Sequence, residues 1–192
     1  MKAPLDFYFD FSSPYGYIAG EKIDALASKH GRAVNWRPTL LGAAFKVTGA
    51  SPLPSIPIKG EYAKRDFLRS ARFHDVPMRI PDAFPVGTLA ACRAFYSLKD
   101  AKQRVALAKG LYRAYFVDNV NIGEAQNVLG VAASLGLEPD VASQEIKDKT
   151  KAEVDAAIAR GVFGSPYVIA DGEPFWGIDR FDQLDRWLRG PF

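Results

Sequence analysis

The sequence predicts an α/β fold in which a β-α-β unit and a β-β-α unit flank a long helical segment. The stretch LDFYFDF (residues 5–11) alternates and is rich in aromatic side chains, which is typical of a strand. Apolar residues at helical spacing fill most of residues 62–161. Near the end of the chain, two short apolar runs flank Asp171-Gly172, a strong signal for a β-hairpin.

The first unit follows from the residues after the opening strand. The stretch YGYIAGEKIDALASKHG has apolar residues at helical spacing and predicts a helix that ends at Gly31. RAVNWRP (residues 32–38) predicts a second strand that closes with its proline. The three prolines of GASPLPSIPIKG (residues 49–60) exclude regular structure and stiffen a loop that is long enough to be a lid or a binding loop.

Helices dominate the middle of the chain. They are predicted over residues 62–74, 86–97, 101–116, 124–135, 141–146 and 150–160. A last helix, over residues 180–188, follows the hairpin. This order of elements predicts a thioredoxin-like fold with a discontinuous domain of residues 1–60 and 162–192 and an inserted all-helical subdomain of residues 61–161.

The composition indicates a globular chain. Its 192 residues, 48% of them apolar, can bury a core of ordinary size. No apolar run approaches the roughly 20 residues of a membrane span and no secretory signal pattern is visible, so we expect a cytoplasmic protein with no membrane partner. The net charge of +3 comes from cations scattered among acids. We therefore expect no nucleic-acid partner and favour small anionic ligands.

Sulfur and imidazole groups are too few for several kinds of site. The single cysteine, Cys92, excludes a disulfide framework, a Cys-x-x-Cys redox pair and a thiolate zinc cluster. The two histidines, His30 and His74, lie far apart in sequence, and we expect no metal site. Cys92 itself lies in the apolar helical stretch TLAACRAFY, which predicts a core position.

A serine-proline pair, Ser13-Pro14, stands where the first strand gives way to the first helix. Serine at the N-cap and proline at the first helical position are a favoured helix start, worth about 1 kcal/mol, so the pair has a purely structural interpretation. In a thioredoxin-type fold the reactive group lies at the same place, because the helix N-terminus presents unpaired N–H groups to an anion. Residues 13–16 contain no sulfur, so any thiol must come from a ligand. We expect Ser12 only to end the strand.

Two further motifs lie in the C-terminal unit. Ser165-Pro166 stands directly before a predicted strand, where a proline is in many proteins simply a strand start. In this topology such a proline is commonly cis and exposes the backbone of the preceding residue to an extended peptide. In FWGIDRFDQL, Asp179 is either the N-cap of the last helix or a carboxylate that accepts the ammonium group of a bound peptide.

Together, the stretches DFYFDFSSPYGYIA, RGVFGSPYVI and FWGIDRFDQL resemble the 2-hydroxychromene-2-carboxylate isomerases and the related kappa-class glutathione transferases, over nearly the whole chain. The resemblance implies glutathione as cofactor and a small anionic aromatic substrate, and we expect a homodimer. It implies that Ser13 is the catalytic serine, which holds the cofactor as thiolate. The cofactor-binding residues it implies are Ser13, Ser165, Pro166, Trp176, Gly177, Ile178 and Asp179, and Lys46 and Phe84 would contact the substrate.

The chain also departs from the family pattern. Family members often have Val or Leu at the position of Ser165 and Asn or Ser at that of Ile178. The naphthalene-pathway isomerases present an Asn-Arg pair to the substrate, and an alignment places that pair near residues 53–55 of this chain. Phe84 replaces a substrate-facing tyrosine. Three functions therefore stay open: a glutathione-dependent cis-trans isomerase of 2-hydroxychromene-2-carboxylate or a related aromatic-degradation intermediate, a kappa-class transferase or peroxidase, and a non-catalytic thioredoxin-fold binding module.

Overall fold

A computed structural model of the chain describes residues 2–192. Its strands and helices, in chain order, are β1 (Leu5–Phe9), α1 (Pro14–Lys29), β2 (Val34–Pro38), α2 (Leu41–Thr48), α3 (Lys59–Phe73), α4 (Leu89–Ser97), α5 (Ala101–Phe116), α6 (Ala125–Ser134), α7 (Gln144–Ala159), β3 (Tyr167–Ala170), β4 (Glu173–Trp176) and α8 (Phe181–Arg189). Short 3₁₀ turns cover Leu53–Ser55 and Ile178–Arg180. The predicted order of a β-α-β unit, a helical segment and a β-β-α unit is confirmed.

The four strands form one mixed sheet in the order β2-β1-β3-β4. β1 runs parallel to β2, with Phe7 opposite Trp36, and antiparallel to β3, with Phe7 opposite Val168. β3 and β4 form the predicted hairpin. This is the thioredoxin-type sheet that the sequence predicts. Because β1 is central and leads directly into α1, its carboxyl end and the N-terminus of α1 meet in the middle of the molecule.

Aromatic side chains join the sheet to the inserted helices. Phe9 of β1 lies 5.7 Å, ring centre to ring centre, from Tyr112 of α5. Tyr17 of α1 stacks on Phe116 at 5.3 Å. Phe9, Tyr112 and Phe116 are fully buried, or nearly so, and belong to one continuous hydrophobic cluster. The helices of the insertion therefore pack directly on β1 and α1 and support the junction between them.

One helix was not predicted, and a long-range contact explains why. Leu40, at the N-cap of α2, offers no side-chain cap, and nothing in LGAAFKVT marks a helix start. The N–H of Leu41 is instead accepted by the carboxylate of Asp10, at 2.8 Å. A tertiary hydrogen bond thus replaces the local capping signal that a sequence pattern would reveal.

Other boundaries differ from the predicted ones. The two helices predicted over residues 141–146 and 150–160 are wrong as separate elements, since α7 runs unbroken from Gln144 to Ala159. The polar residues between them contain neither glycine nor proline, and so nothing interrupts the helix. The loop at residues 49–60 is less irregular than predicted, because it contains a 3₁₀ turn and α3 already begins at Lys59.

No helix within residues 2–192 combines the length and the apolar character needed to cross a bilayer.

Helix α8 is attached to the end of α1 by one carboxylate. Asp185 accepts hydrogen bonds from Lys29 and His30, both at 2.8 Å, and from Arg189 of its own helix. Hydrogen bonds from Lys29 and His30, and then from Arg189, hold the pKa of Asp185 well below its usual range. The folded protein therefore keeps this carboxylate ionised at pH values where the unfolded chain would protonate it.

We predict that Asp185→Asn lowers the free energy of unfolding by about 1 kcal/mol at neutral pH. A depressed pKa stabilises the fold above the unfolded value, so the difference from wild type should be constant above about pH 4 and shrink below it. Denaturant unfolding from pH 7 to about pH 2.5 measures this. Asp155→Asn, which removes an exposed pair with Lys151 on α7, is the control and should change less. A difference that stays constant down to pH 2.5 would contradict the assignment.

Candidate active site

A cavity of about 1090 Å³ opens at the carboxyl end of β1. Its walls are the turn before α1, helix α2 with the following loop, one face of α3, the segment before α4 and the ends of the β3–β4 hairpin. The nine residues that the sequence indicated all line it: Ser13, Lys46, Phe84, Ser165, Pro166, Trp176, Gly177, Ile178 and Asp179. The structure thus brings together residues spread over most of the chain, while their individual roles stay predictions.

Ser13 is the N-cap of α1, as predicted, with Pro14 at the first helical position. Its Oγ accepts the N–H of Gly16 at 3.0 Å and donates to the carbonyl oxygen of Ser165, also at 3.0 Å. Ser13 is only 6% exposed. A serine hydroxyl has one proton to donate, and in this structure it donates that proton in a hydrogen bond to the Ser165 carbonyl oxygen.

Ser165-Pro166 faces this N-terminus from the start of β3. The peptide bond between the two residues is cis, and the Pro166 carbonyl accepts the N–H of Gly177 at 3.0 Å. A Cβ on Gly16 would lie 2.5 Å from the Ser165 Oγ, so only glycine allows the first turn of α1 to pack this closely on Ser165. The helix N-terminus and the backbone of Ser165 therefore form one continuous polar floor.

Asp10, which the sequence analysis did not single out, lies buried beneath this floor. One of its carboxylate oxygens accepts the N–H of Ser12 at 2.8 Å, the Ser12 hydroxyl at 2.9 Å and the Thr88 hydroxyl at 3.0 Å. The other accepts the N–H of Leu41 at 2.8 Å. Burial raises the pKa of Asp10, and the hydrogen bonds from Leu41, Ser12 and Thr88 oppose that rise. The carboxylate links three walls of the cavity.

The main chain of Asp10 is equally occupied. Its N–H donates to the Ser165 Oγ at 3.0 Å, and its carbonyl accepts the Ser13 N–H at 3.0 Å and the Tyr112 hydroxyl at 3.1 Å. Tyr112 is buried on α5. The end of β1, the start of α1 and the start of β3 are therefore tied through this one residue.

The segment from Trp176 to Asp179 forms the rim on the hairpin side. Gly177 has φ +104, a conformation that favours glycine, and Ile178 is buried. The exposed Asp179 pairs with Arg180 at 3.0 Å. Arg180, not Asp179, occupies the N-cap of α8 and makes no side-chain cap, so the N-cap alternative for Asp179 is wrong. The Asp179 carboxylate is available at the cavity mouth.

The opposite side of the cavity is mostly apolar. Phe84 is half-buried and packs edge-on against Phe67 of α3, with the ring centres 6.0 Å apart. Leu53 and Pro54 of the loop also line the cavity. Lys46 lies on α2, and within residues 2–192 its ammonium group forms no ion pair. An unpaired cation beside apolar walls suits a flat apolar molecule with an anionic group.

A tyrosine-aspartate pair lines the cavity beside the N-terminus of α1. The Tyr15 hydroxyl donates to Asp66 of α3, and Arg69 pairs with the same carboxylate. Although burial acts to raise it, the hydrogen bonds from Tyr15 and Arg69 lower the pKa of Asp66. Cations and acids alternate along this helix, and charge order alone does not show which aspartate turns inward.

Cys92 is fully buried on α4, in the core position that the sequence predicts. Burial raises the pKa of its thiol well above the ordinary value. Its Sγ lies 3.7 Å from the carbonyl oxygen of Thr39. Among residues 2–192, no group of three or more His, Cys, Asp or Glu side chains is arranged to hold a metal ion.

A model of the DSBA-like thioredoxin domain family matches residues 4–189, and the chain belongs to that family. It is 29% identical to a 2-hydroxychromene-2-carboxylate isomerase of Sphingobium xenophagum over 98% of this chain and 99% of that protein. It is 25% identical to glutathione S-transferase kappa 1 of Rattus norvegicus, over 97% and 93% of the two chains. The similarity to these two groups that the sequence motifs suggested is confirmed.

A solved structure of a 2-hydroxychromene-2-carboxylate isomerase superposes on this chain with a TM-score of 0.86. The two chains are 24% identical, and the superposition covers 96% of this chain and 94% of the other. It shows that the two chains share their fold, including the inserted helices.

We predict that Asp10→Asn lowers the free energy of unfolding by about 1–3 kcal/mol at pH 7, because the amide nitrogen replaces an acceptor with a donor that faces other donors. Thr88→Val removes one of the four hydrogen bonds to the Asp10 carboxylate. It should lower the free energy of unfolding less than Asp10→Asn does. Denaturant unfolding of both variants measures the two values. An Asp10→Asn protein as stable as wild type would show that the burial cost of the carboxylate cancels all four hydrogen bonds.

Proposed function

We propose that this member of the DSBA-like thioredoxin family is a glutathione-dependent enzyme that isomerises 2-hydroxychromene-2-carboxylate or a related aromatic-degradation intermediate. The observation that carries the proposal is the Ser13 hydroxyl at the N-cap of α1, beside the Ser165 backbone, on the floor of a cavity of about 1090 Å³. Such a volume exceeds the usual range for one small ligand and suits a tripeptide together with a substrate.

The groups on the hairpin side fit glutathione. Within residues 2–192 the N–H of Ser165 donates to no other group, and it lies beside the carbonyl that Ser13 contacts. A donor and an acceptor on one residue can pair with an extended peptide as a strand would. Asp179 at the rim suits the ammonium group of a γ-glutamyl residue, and the adjacent Arg180 suits its carboxylate.

The residues around Ser13 can stabilise a thiolate. A free thiol has a pKa of about 8.5, and lowering it by two units requires about 2.7 kcal/mol. One hydrogen bond to a charged group contributes about 1.5–3 kcal/mol. A helix N-terminus adds about 0.3–1 kcal/mol, and up to ~2 kcal/mol when it is partly buried. The Ser13 hydroxyl and the N-terminus of α1 together therefore suffice.

Bound glutathione would supply a thiolate that adds reversibly to a conjugated alkene and so permits rotation about the former double bond. Ser13 acts in this proposal as a hydrogen-bond donor and not as a nucleophile, since no base contacts its hydroxyl. Lys46 would hold the anionic group of the substrate. Phe84 and the loop residues Leu53 and Pro54 would hold its ring and exclude water.

A transferase or peroxidase of the kappa class is the second candidate. Leu53 and Pro54 present an apolar face where the resemblance to naphthalene-pathway isomerases leads us to expect a polar Asn-Arg pair. The similarity to the rat kappa-class enzyme covers 97% of this chain. An apolar face there would accept electrophiles other than a hydroxychromene carboxylate. A purely non-catalytic binding module is disfavoured because the chain has the Ser13-Pro14 helix start, the Ser165-Pro166 strand start and the Trp176–Asp179 segment together.

An enzyme assay separates these candidates. We predict that the interconversion of 2-hydroxychromene-2-carboxylate and its trans-benzylidenepyruvate isomer is accelerated by the protein only when glutathione is present. Because Cys92 is buried, Cys92→Ala should keep the activity. Glutathione conjugation of an electrophile without isomerisation would favour the transferase. Loss of activity in a folded Cys92→Ala protein would show that the reaction uses the protein's own thiol.

The two neighbouring serines should differ sharply. The Ser12 hydroxyl donates to the Asp10 carboxylate at 2.9 Å, and so it is committed to a structural contact. We predict that Ser13→Ala raises the pKa of bound glutathione and lowers turnover by about 10- to 100-fold. Ser12→Ala should change turnover far less. Thiolate absorbance against pH and turnover, measured for both variants, test this. A larger loss of turnover in Ser12→Ala would show that the catalytic hydroxyl is not that of Ser13.

A further inference from the structure

The single hydroxyl proton of Ser13 faces two acceptors under the proposed function. In this structure the hydroxyl donates it to the Ser165 carbonyl, with 3.0 Å between the two oxygens, while the Ser13 oxygen accepts the Gly16 N–H. A bound thiolate would need the same proton. Since one hydroxyl donates to one strong acceptor at a time, stabilising the thiolate removes a donor from the Ser165 carbonyl.

That loss is costly unless another donor replaces Ser13. Ser165 is 9% exposed and Ser13 is 6% exposed, and both lie on the cavity floor, so a ligand bound there displaces the water that could reach the carbonyl. A buried acceptor without a partner carries the full penalty of its desolvation. The other polar groups nearby are committed: Tyr112 donates to the Asp10 carbonyl, and the Gly16 N–H to Ser13.

We propose that the cysteinyl N–H of glutathione takes over the Ser165 carbonyl and thereby releases the Ser13 proton for the sulfur. The inference rests on the proposed function, because it requires glutathione to pair with the Ser165 backbone. No covalent bond changes in this step. The thiol proton leaves to solvent, the Ser13 hydroxyl turns from oxygen to sulfur, and the ligand N–H fills the place that Ser13 vacates.

This exchange makes the Ser165 carbonyl a specificity determinant. A thiol that lacks an N–H at the matching position can bind, but it gains its thiolate only by leaving the carbonyl unpaired. Activation is therefore coupled to the peptide backbone of the ligand and not only to its sulfur. For a ligand without that N–H, the thiol pKa should therefore shift less on binding, while the affinity of its protonated form should fall only modestly.

The test uses the depsipeptide analogue of glutathione, in which an ester oxygen replaces the cysteinyl N–H. The pKa shift of its thiol on binding, relative to the free ligand, is measured by thiolate absorbance and compared with that of glutathione. On the wild-type protein we expect the shift to be smaller for the depsipeptide by about one unit, roughly tenfold in thiolate fraction. On Ser13→Ala the two ligands should show the same shift. Ser13→Thr, which keeps the hydroxyl, should restore the difference.

Three results would overturn the inference: equal shifts on the wild-type protein, an equally large difference on Ser13→Ala, or a depsipeptide that fails to bind at about pH 5 where glutathione binds. In the last case the N–H would be needed for binding itself and not for the proton exchange. If glutathione does not bind, or if its bound thiol keeps its ordinary pKa, the proposed function fails and the inference fails with it. The two failures are distinguishable. If glutathione binds as thiolate but the depsipeptide shows the same pKa shift, only the proton exchange is wrong and the proposed function stands.

Discussion

The carboxylate of Asp10 is the constraint on which the rest of the site depends. It lies buried at the end of β1 and accepts four hydrogen bonds from the turn before α1, the start of α2 and the start of α4. A buried charge is tolerated only when such donors surround it. Meeting that requirement brings three segments of the chain to one point. These segments form three walls of the cavity, which α3 and the end of the β3–β4 hairpin complete.

The cavity has two halves of different chemistry, and Ser13 lies between them. One half presents backbone groups of Ser165 and the charged pair Asp179–Arg180, while the other presents aromatic and aliphatic side chains with Lys46. A polar tripeptide and an apolar acceptor would therefore bind in different places without competing. The hydrogen bond between Ser13 and the Ser165 carbonyl connects the peptide half to the place where a sulfur would lie.

Local patterns predicted most of the fold but not the contacts that complete the site. The strands, the start of α1 at Ser13-Pro14 and the hairpin carry their signals in neighbouring residues. Helix α2 does not, because its cap is a carboxylate thirty-one residues earlier in the chain. The nine predicted site residues line one cavity. Their positions were found through the resemblance to a known family, even at Ser165, Ile178 and Phe84, where the residue type differs from the family pattern. Asp10 and Asp66 were missed because their roles depend on carboxylates that turn into the protein. The sequence alone does not show which aspartates do so.

The central claim is that the N-terminus of α1, the Ser165 backbone and Asp179 form a site for a tripeptide thiol. Calorimetric titration with glutathione and with free cysteine tests it most directly, because cysteine offers the sulfur without the γ-glutamyl and glycyl ends. The account predicts measurable binding of glutathione and at least about tenfold weaker binding of cysteine, a difference of about 1.4 kcal/mol or more. Equal affinity for the two, or no heat with either, would contradict it.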